Sequence, residues 1–436
     1  MKAAGAKQVS LVVAGMSLVV LSLAVSVPAV WANSAVQPKP AVTGAEVTIA
    51  GVMMCEICCT RDLAREAEKE AEKTLVLFAL EGTPEVKAAL DDIMREYYPG
   101  DGINADQARK IQAEFEKRLK YYITPGELAE KKENTARWWN PAKAVTGVLS
   151  EKEGRKWITP SKIMGAKLKY PDKMLAPDKP LAQLGKKPLI LKINDTLSLK
   201  FILLPAGKYF AGVPFYATYD CDGRYDDDYP AMLTLTKPFY LAEIPVTQEM
   251  YESVMGNNPS GQKGAQIPVH QVSCVDIRKF CRILSANSGR KVRLPTQAEW
   301  EYAARVGTSN PPFVRKYKDQ INAAPDGQTF LPVKSKRANA WGLYDMIGCS
   351  WEITGDSRQF SRQDTVDPHY PPPCEKDETT GKKHDHNAMG RNAFSFVTTR
   401  EGVGDGSGTG YSLARFRVVV DATPQEIAEM DKTATN

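Results

Sequence analysis

Residues 293–305 read RLPTQAEWEYAAR, and residues 339–352 read NAWGLYDMIGCSWE. The first stretch contains its own start signal. Thr296-x-x-Glu299 has the capping-box pattern, in which the threonine side chain accepts from a backbone N–H three residues on and the glutamate returns the bond. Trp300, Ala303 and Ala304 then face inward at helical spacing. Two blocks lie upstream. PFYLAEIPVTQEMYESVMGNNPS begins at Pro238, and PVHQVSCVDIRKFCRILSANSGRKV begins at Pro268. The latter carries a second box, Ser273-x-x-Asp276, followed by an apolar stripe of Ile277, Phe280, Cys281 and Leu284.

The order, spacing and residue types of these four blocks resemble the formylglycine-generating enzyme family, also called the sulfatase-modifying factor family, over about residues 196–422. The resemblance implies a C-type-lectin-like α+β fold with few long helices and many short strands. It also implies an oxidoreductase that converts a sulfatase cysteine to formylglycine. Copper-dependent members hold Cu(I) with two cysteines shortly before a closing Gly-Phe-Arg, and thiolates suit that soft ion. Here the corresponding stretch, Arg391 to Val420, has no cysteine; the last one in the chain is Cys374. Ser395, Ser407, Tyr411 and Ser412 offer only hard, poorly ionised hydroxyls. The family's RGGSW phrase is missing, and its closing motif reads Arg415-Phe416-Arg417. Copper chemistry is therefore not expected, and whether the chain is an enzyme stays open.

The resemblance also implies a structural calcium ion in a loop of the form G-L-Y-[ND]-x-x-G-N-x-W-E. Carried over, the ligands are Asp345, the carbonyls of Gly348 and Ser350, and Glu352, a hard oxygen set. Cys349 stands where the family has Asn. The competing reading is a loop held by hydrogen bonds alone.

Other cysteines and histidines are weaker candidates. His369, Cys374, His384 and His386 cluster in a polar insertion, Ser357 to Met389, and could ligate zinc, copper or iron. Their spacing matches no defined metal motif, and long loops collect polar residues. Cys55-x-x-Cys58-Cys59 fits a disulfide better than a redox or metal site. Cys281 on its apolar stripe needs no role beyond packing, and Cys274 is too far along the same helix to bond to it.

The remaining sequence bounds the setting. The chain has 436 residues, 43% hydrophobic and 25% charged, enough for two or three ordinary globular domains. A net charge of +5 over so large a surface is too diffuse to point to nucleic acid. Lys2 and Lys7 precede an apolar run from Leu11 to Val30, and Val30-Trp31-Ala32 reads as a cleavage site after Ala32. Residues 1–32 are thus expected to be a signal peptide and the mature chain periplasmic or secreted, with an uncleaved membrane anchor as the alternative. No other membrane segment is expected. All eight cysteines lie after that point.

Residues 33–44 read as a flexible leader and 45–169 as a small α+β domain, whose paired phrases VTIAGVMMCEICC and VTGVLSEKEGRKWIT resemble those of small secreted barrels of the OB type. Within it the sequence predicts strands ending at Cys55 and over Thr74–Leu80, and a helix opened by Thr83-Pro84. A second helix is predicted from about Ala105 to Tyr122, and a hairpin from Val145 with its turn at Glu153-Gly154. Proline-rich residues 170–190 read as a linker and 191–422 as the sulfatase-modifying factor-like domain. Residues 423–436 form a tail, with a terminal helix from Pro424 to Lys432. In the latter domain Leu197, Leu199, Phe201 and Leu203 alternate as in a half-buried strand. The functional expectation is an exported binding or accessory module for a protein, peptide or glycan. A non-haem iron oxidoreductase with ligands from the insertion histidines or the N-terminal cysteines, or a divergent sulfatase activator, are the alternatives.

Overall fold

Strand β1 (Glu46–Cys55) pairs on one edge with β2 (Leu75–Glu81) and on the other with β4 (Ala142–Lys152), and so begins a closed five-stranded barrel. Its order is β1-β2-β3-β5-β4, closed by a parallel pairing of β3 (Lys120–Ile123) with β5 (Arg155–Gly165). This computed structural model describes residues 44–55, 75–98, 103–126, 142–170, 188–212, 231–309, 317, 319–324, 329–348, 350–356, 364–369, 386–389, 400–403 and 414–428. The expected signal peptide and most of the leader lie outside these residues.

Two glycines let the barrel bend. The β1 register shifts between Ala50 and Gly51, and the β4 register between Thr146 and Gly147. A Cβ at Gly51 would sit 2.0 Å from the Phe78 carbonyl oxygen, and one at Gly147 would sit 2.2 Å from that of Thr159. Backbone approaches backbone at both bulges, and no side chain fits between. The β4–β5 turn is as predicted: Glu153 and Gly154 both take positive φ, 56° and 70°, which suits the right-handed twist of the strands.

Two helices lie between β2 and β3. Helix α1 (Pro84–Tyr97) starts at Thr83 with proline in its first turn and buries Val86, Leu90, Ile93 and Met94. Helix α2 (Ala105–Arg118) is opened by a capping box between Asn104 and Gln107 and buries Ala108, Ile111 and Phe115. It ends four residues short of the expected Tyr122. Tyr121, Tyr122 and Ile123 are aromatic and β-branched, and they leave the helix as β3, the strand the sequence reading missed. Tyr170 is buried in the barrel core and Leu189 opens the next strand, so both ends of the expected linker are structured; residues 171–187 lie outside the described part.

The C-terminal region is built on a five-stranded sheet. Its members are β6 (Leu189–Lys192), β7 (Ser198–Leu204), β10 (Phe239–Ala242), β11 (Val292–Arg293) and β18 (Val419–Asp421), in the order β11-β18-β10-β7-β6. Leu199, Phe201 and Leu203 of β7 pack with helices α3 (Gln248–Met255) and α4 (Cys274–Ser288). Ile202 and Leu204 point the other way. They pack with the hairpin β8 (Gly207–Ala211) and β9 (Ala231–Leu235) and with helix α5 (Gln297–Ala304). The strand is therefore buried on both faces, where its sequence had read as half-buried. Shorter strands complete the region: β12 (Ile321–Asn322), β13 (Ile347–Gly348), β14 (Glu352–Ile353), β15 (Thr365–Val366), β16 (His386–Met389) and β17 (Arg400–Val403). In the tail, residues 424–428 are helical.

Helix starts follow the sequence closely. Thr296 and Glu299 form the full capping box. At Ser273 the hydroxyl accepts from the Asp276 N–H at 3.1 Å and donates to the Asp276 carboxylate at 2.6 Å. The shorter aspartate thus closes on the hydroxyl in place of the backbone.

The described residues from Gly44 onward belong to one compact unit. Phe210 on β8 belongs to the same apolar cluster as the barrel core. Its N–H donates to Ser309 Oγ at 2.8 Å, and Ser309 N–H donates to the Ile103 carbonyl at 3.1 Å. Arg109 pairs with Asp364, whose carboxylate also accepts from Met232 N–H at 3.0 Å. Among the described residues no helix is long and apolar enough to cross a membrane.

Candidate functional site

The loop at 342–352 is folded around two buried carboxylates. Asp345 has φ 56° and is 1% exposed. Its Oδ1 accepts from Asn322 Nδ2 at 2.7 Å, and its Oδ2 accepts from Lys334 N–H at 2.9 Å. Burial pushes its carboxyl above the ordinary aspartate range, outweighing the nearby Arg415 charge and the hydrogen bonds. The short pairing of β12 with β13 brings Asn322 beside Gly348.

Glu352 is 0% exposed. Its Oε2 accepts from Trp300 Nε1 at 2.8 Å and from Arg417 Nε at 2.6 Å, and its Oε1 accepts from Arg417 Nη2 at 2.7 Å. The Arg417 fork is therefore bidentate. Its remaining hydrogen bonds go to the Ala242 carbonyl at 3.2 Å and the Tyr344 carbonyl at 3.0 Å. Burial alone would raise the Glu352 carboxyl. The Arg417 charge and bonds, with Arg415 and Trp300, outweigh it and hold the group below its ordinary range.

Arg415 completes the cluster. A parallel bridge sets it beside Glu352: Arg415 N–H donates to the Trp351 carbonyl at 2.9 Å, and Ile353 N–H to the Arg415 carbonyl at 2.9 Å. Its side chain is buried, with Nε 3.4 Å from Glu352 Oε1 and Nη2 donating to the Asp345 carbonyl. Both terminal nitrogens lie 3.1 Å from the place a Cβ on Gly348 would occupy.

The four expected calcium ligands thus lie in one buried loop region, but they do not offer an oxygen set that fits the ion. Both carboxylates are engaged by N–H donors, and two guanidiniums already balance their charge. A Ca²⁺ ion needs six to eight oxygens with free lone pairs. Among the described residues, no group of three or more His, Cys, Asp and Glu side chains could hold a metal ion.

Few of the other candidates lie within the described residues. His369 is exposed. His386 begins β16, which pairs with β14, and its side chain lies outside the described part, as do Cys374, His384 and Cys349. Cys55 ends β1, while Cys58, Cys59 and Cys221 lie outside the described residues. Cys274 and Cys281 are buried on α4, and burial pushes the Cys281 thiol up to about 12. The sequence reading missed the loop's basic partners. Their one visible signal was arginine at 415, where the resembling family has glycine.

A second buried titratable group lies in the block that starts at Pro268. His270 is 2% exposed and stacks on Phe330 with centroids 4.4 Å apart. Nε2 accepts from Gln262 N–H at 3.3 Å, so Nδ1 carries the proton and donates to the Pro268 carbonyl at 3.2 Å. Burial lowers its pKa, aided by Lys263 and opposed by the Pro268 bond. The folded chain therefore prefers the neutral ring. Its stabilising effect is complete above the ordinary value of 6.5 and is lost as pH falls from there through the folded value. Urea denaturation between about pH 8 and pH 5 should show stability declining with acid, and His270→Gln should flatten that decline.

Comparison with known proteins places this geometry. Residues 192–422 match the family described as the sulfatase-modifying factor enzyme 1-like domain. The chaperone protein LppX of Paenibacillus barcinonensis is 28% identical over 25% of this chain and 59% of its own length. The formylglycine-generating enzyme of Streptomyces coelicolor is 36% identical over 24% of this chain and 38% of its own. The inactive C-alpha-formylglycine-generating enzyme 2 of Bos taurus is 29% identical over 28% and 43%. The chain thus spans roughly 40–60% of these relatives' lengths. Among solved structures, PvdO from Pseudomonas aeruginosa aligns with a TM-score of 0.44 and 24% identity, over 55% of this chain and all of that one.

Proposed function

This chain belongs to the sulfatase-modifying factor enzyme family through residues 192–422, and from that membership we propose that it is an exported binding or accessory protein without copper-dependent cysteine oxidation. The observation that carries the reading is the absence of any cysteine from Arg391 to Val420, where the resembling enzymes place their copper thiolates. Cu(I) is held by soft sulfur, and serine or tyrosine hydroxyls do not replace it. The two described thiols of the domain, Cys274 and Cys281, are buried on α4 and belong to its apolar core.

Relatives with names of both kinds, generating enzyme and inactive enzyme, match over similar shares of the chain, so likeness alone does not choose between them. The likeness to a protein named a chaperone favours an accessory role. The expected ligand is a protein, peptide or glycan. The five closed strands of the N-terminal barrel support an OB-type reading of that part, a fold that takes ligands on an open strand face. Export rests on the apolar run that ends at Val30-Trp31-Ala32.

The test is incubation of copper-loaded full-length protein with oxygen and a peptide carrying the sulfatase motif Cys-x-Pro-x-Arg, read by mass spectrometry. The peptide cysteine should remain unchanged. Conversion to the aldehyde, lost in Cys349→Ser or Cys374→Ser, would replace this reading with a divergent sulfatase activator.

A further inference from the structure

We infer that the Arg415 guanidinium is a built-in substitute for a metal ion, and that this loop is closed by a cation belonging to the chain itself. Three of the four positions that would surround a calcium ion surround Arg415. Its Nη2 donates to the Asp345 carbonyl, its Nε lies 3.4 Å from Glu352 Oε1, and both its terminal nitrogens lie 3.1 Å from the would-be Cβ of Gly348. An ion there and the guanidinium exclude each other, since both need the space between Asp345, Gly348 and Glu352 and both draw on Glu352 Oε1.

Charge points the same way. Asp345 and Glu352 face Arg415 and Arg417 with matched formal charge in a volume closed to water. Adding a divalent cation would leave that volume strongly positive, which is costly at low local dielectric. Hydrogen-bond geometry agrees as well. The Asp345 oxygens are taken by Asn322 and Lys334, and the Glu352 oxygens by Trp300 and Arg417. An ion would have to share these oxygens with their buried donors, which already occupy part of their lone-pair capacity.

The position of Arg415 is enforced. The parallel bridge to Glu352 fixes its backbone, and Gly348 leaves the room its planar fork fills. A Cβ at residue 348 would also stand 2.8 Å from the Asn322 carbonyl. Arginine suits this role better than lysine, because its fork can serve a carbonyl and a carboxylate at once.

The experiment uses the full-length protein and two readouts, thermal melting with and without chelator or calcium, and terbium luminescence, for which buried Trp300 is a nearby donor. Wild-type protein should melt at the same temperature under all three conditions and give no sensitised terbium emission. Arg415→Gly should melt several degrees lower without metal, recover with calcium, and acquire terbium emission that Asp345→Ala abolishes. Chelator-sensitive melting of the wild type, or wild-type terbium emission lost in Asp345→Ala, would overturn the inference. So would an Arg415→Gly protein that folds yet gains no response to calcium. If Arg415→Gly does not fold, the two wild-type readouts decide alone.

Discussion

Replacing Glu352 by alanine should destabilise the protein by about 3–5 kcal/mol, the range for removing one partner of a buried ion pair. The size follows from what remains: Arg417 keeps its bonds to the Ala242 and Tyr344 carbonyls but loses the carboxylate its fork grips. Arg415 loses its nearest carboxylate too, and the Trp300 N–H is left buried without an acceptor. Urea denaturation of the full chain at neutral pH measures the loss. The pH dependence adds a second signature. Glu352 is held below its ordinary 4.5, so its contribution is present above about pH 4.5 and is lost as pH falls through the folded value. The gap between wild type and Glu352→Ala should therefore narrow in acid. A double change to Glu352→Met with Arg417→Met should recover only part of the loss, because it removes the stranded Arg417 charge but leaves Arg415 and the Trp300 N–H without their acceptor.

The second large effect belongs to the barrel. Gly51→Val should cost about 3 kcal/mol or more, at or beyond the upper end of the overpacking range. The obstacle to its Cβ is the Phe78 backbone, with the carbonyl oxygen at 2.0 Å and the carbonyl carbon at 2.7 Å, which no rotamer change relieves. The β1–β2 ladder must open at its bulge, and with it the closure of the barrel. Gly154→Ala is the matched control. It lies in open space at φ 70°, so only the left-handed backbone is penalised, about 1–2 kcal/mol. Equal effects of the two substitutions in chemical denaturation would show that the close approach at Gly51 carries no special weight.

What was legible in the sequence was mostly local. Thr83-Pro84, Thr296-x-x-Glu299 and Glu153-Gly154 marked their helix starts and hairpin because cap and turn chemistry acts within a few residues. Strand β3 was not legible, since Tyr121 to Ile123 continue an apolar helical pattern and join the sheet by pairing with distant β2 and β5. The alternation in β7 identified a strand but not its setting, because two apolar layers sandwich it. The family blocks supplied the C-terminal fold and located the loop. They did not reveal how it is held, because Arg415 reaches Asp345 and Gly348 only through a bridge between segments far apart in sequence.

Phe210 gives the architecture an evolutionary consequence. It is encoded within the segment that defines the family, yet its ring completes the interior of the preceding barrel. The barrel is therefore not a detachable attachment. Recombination that exchanged it for another N-terminal part would leave an orphaned aromatic on β8, a Ser309 N–H without the Ile103 carbonyl and an Asp364 without the Arg109 charge. A lineage that inherited the two parts together would be held to that combination by their seam, whatever ligand either part later came to bind.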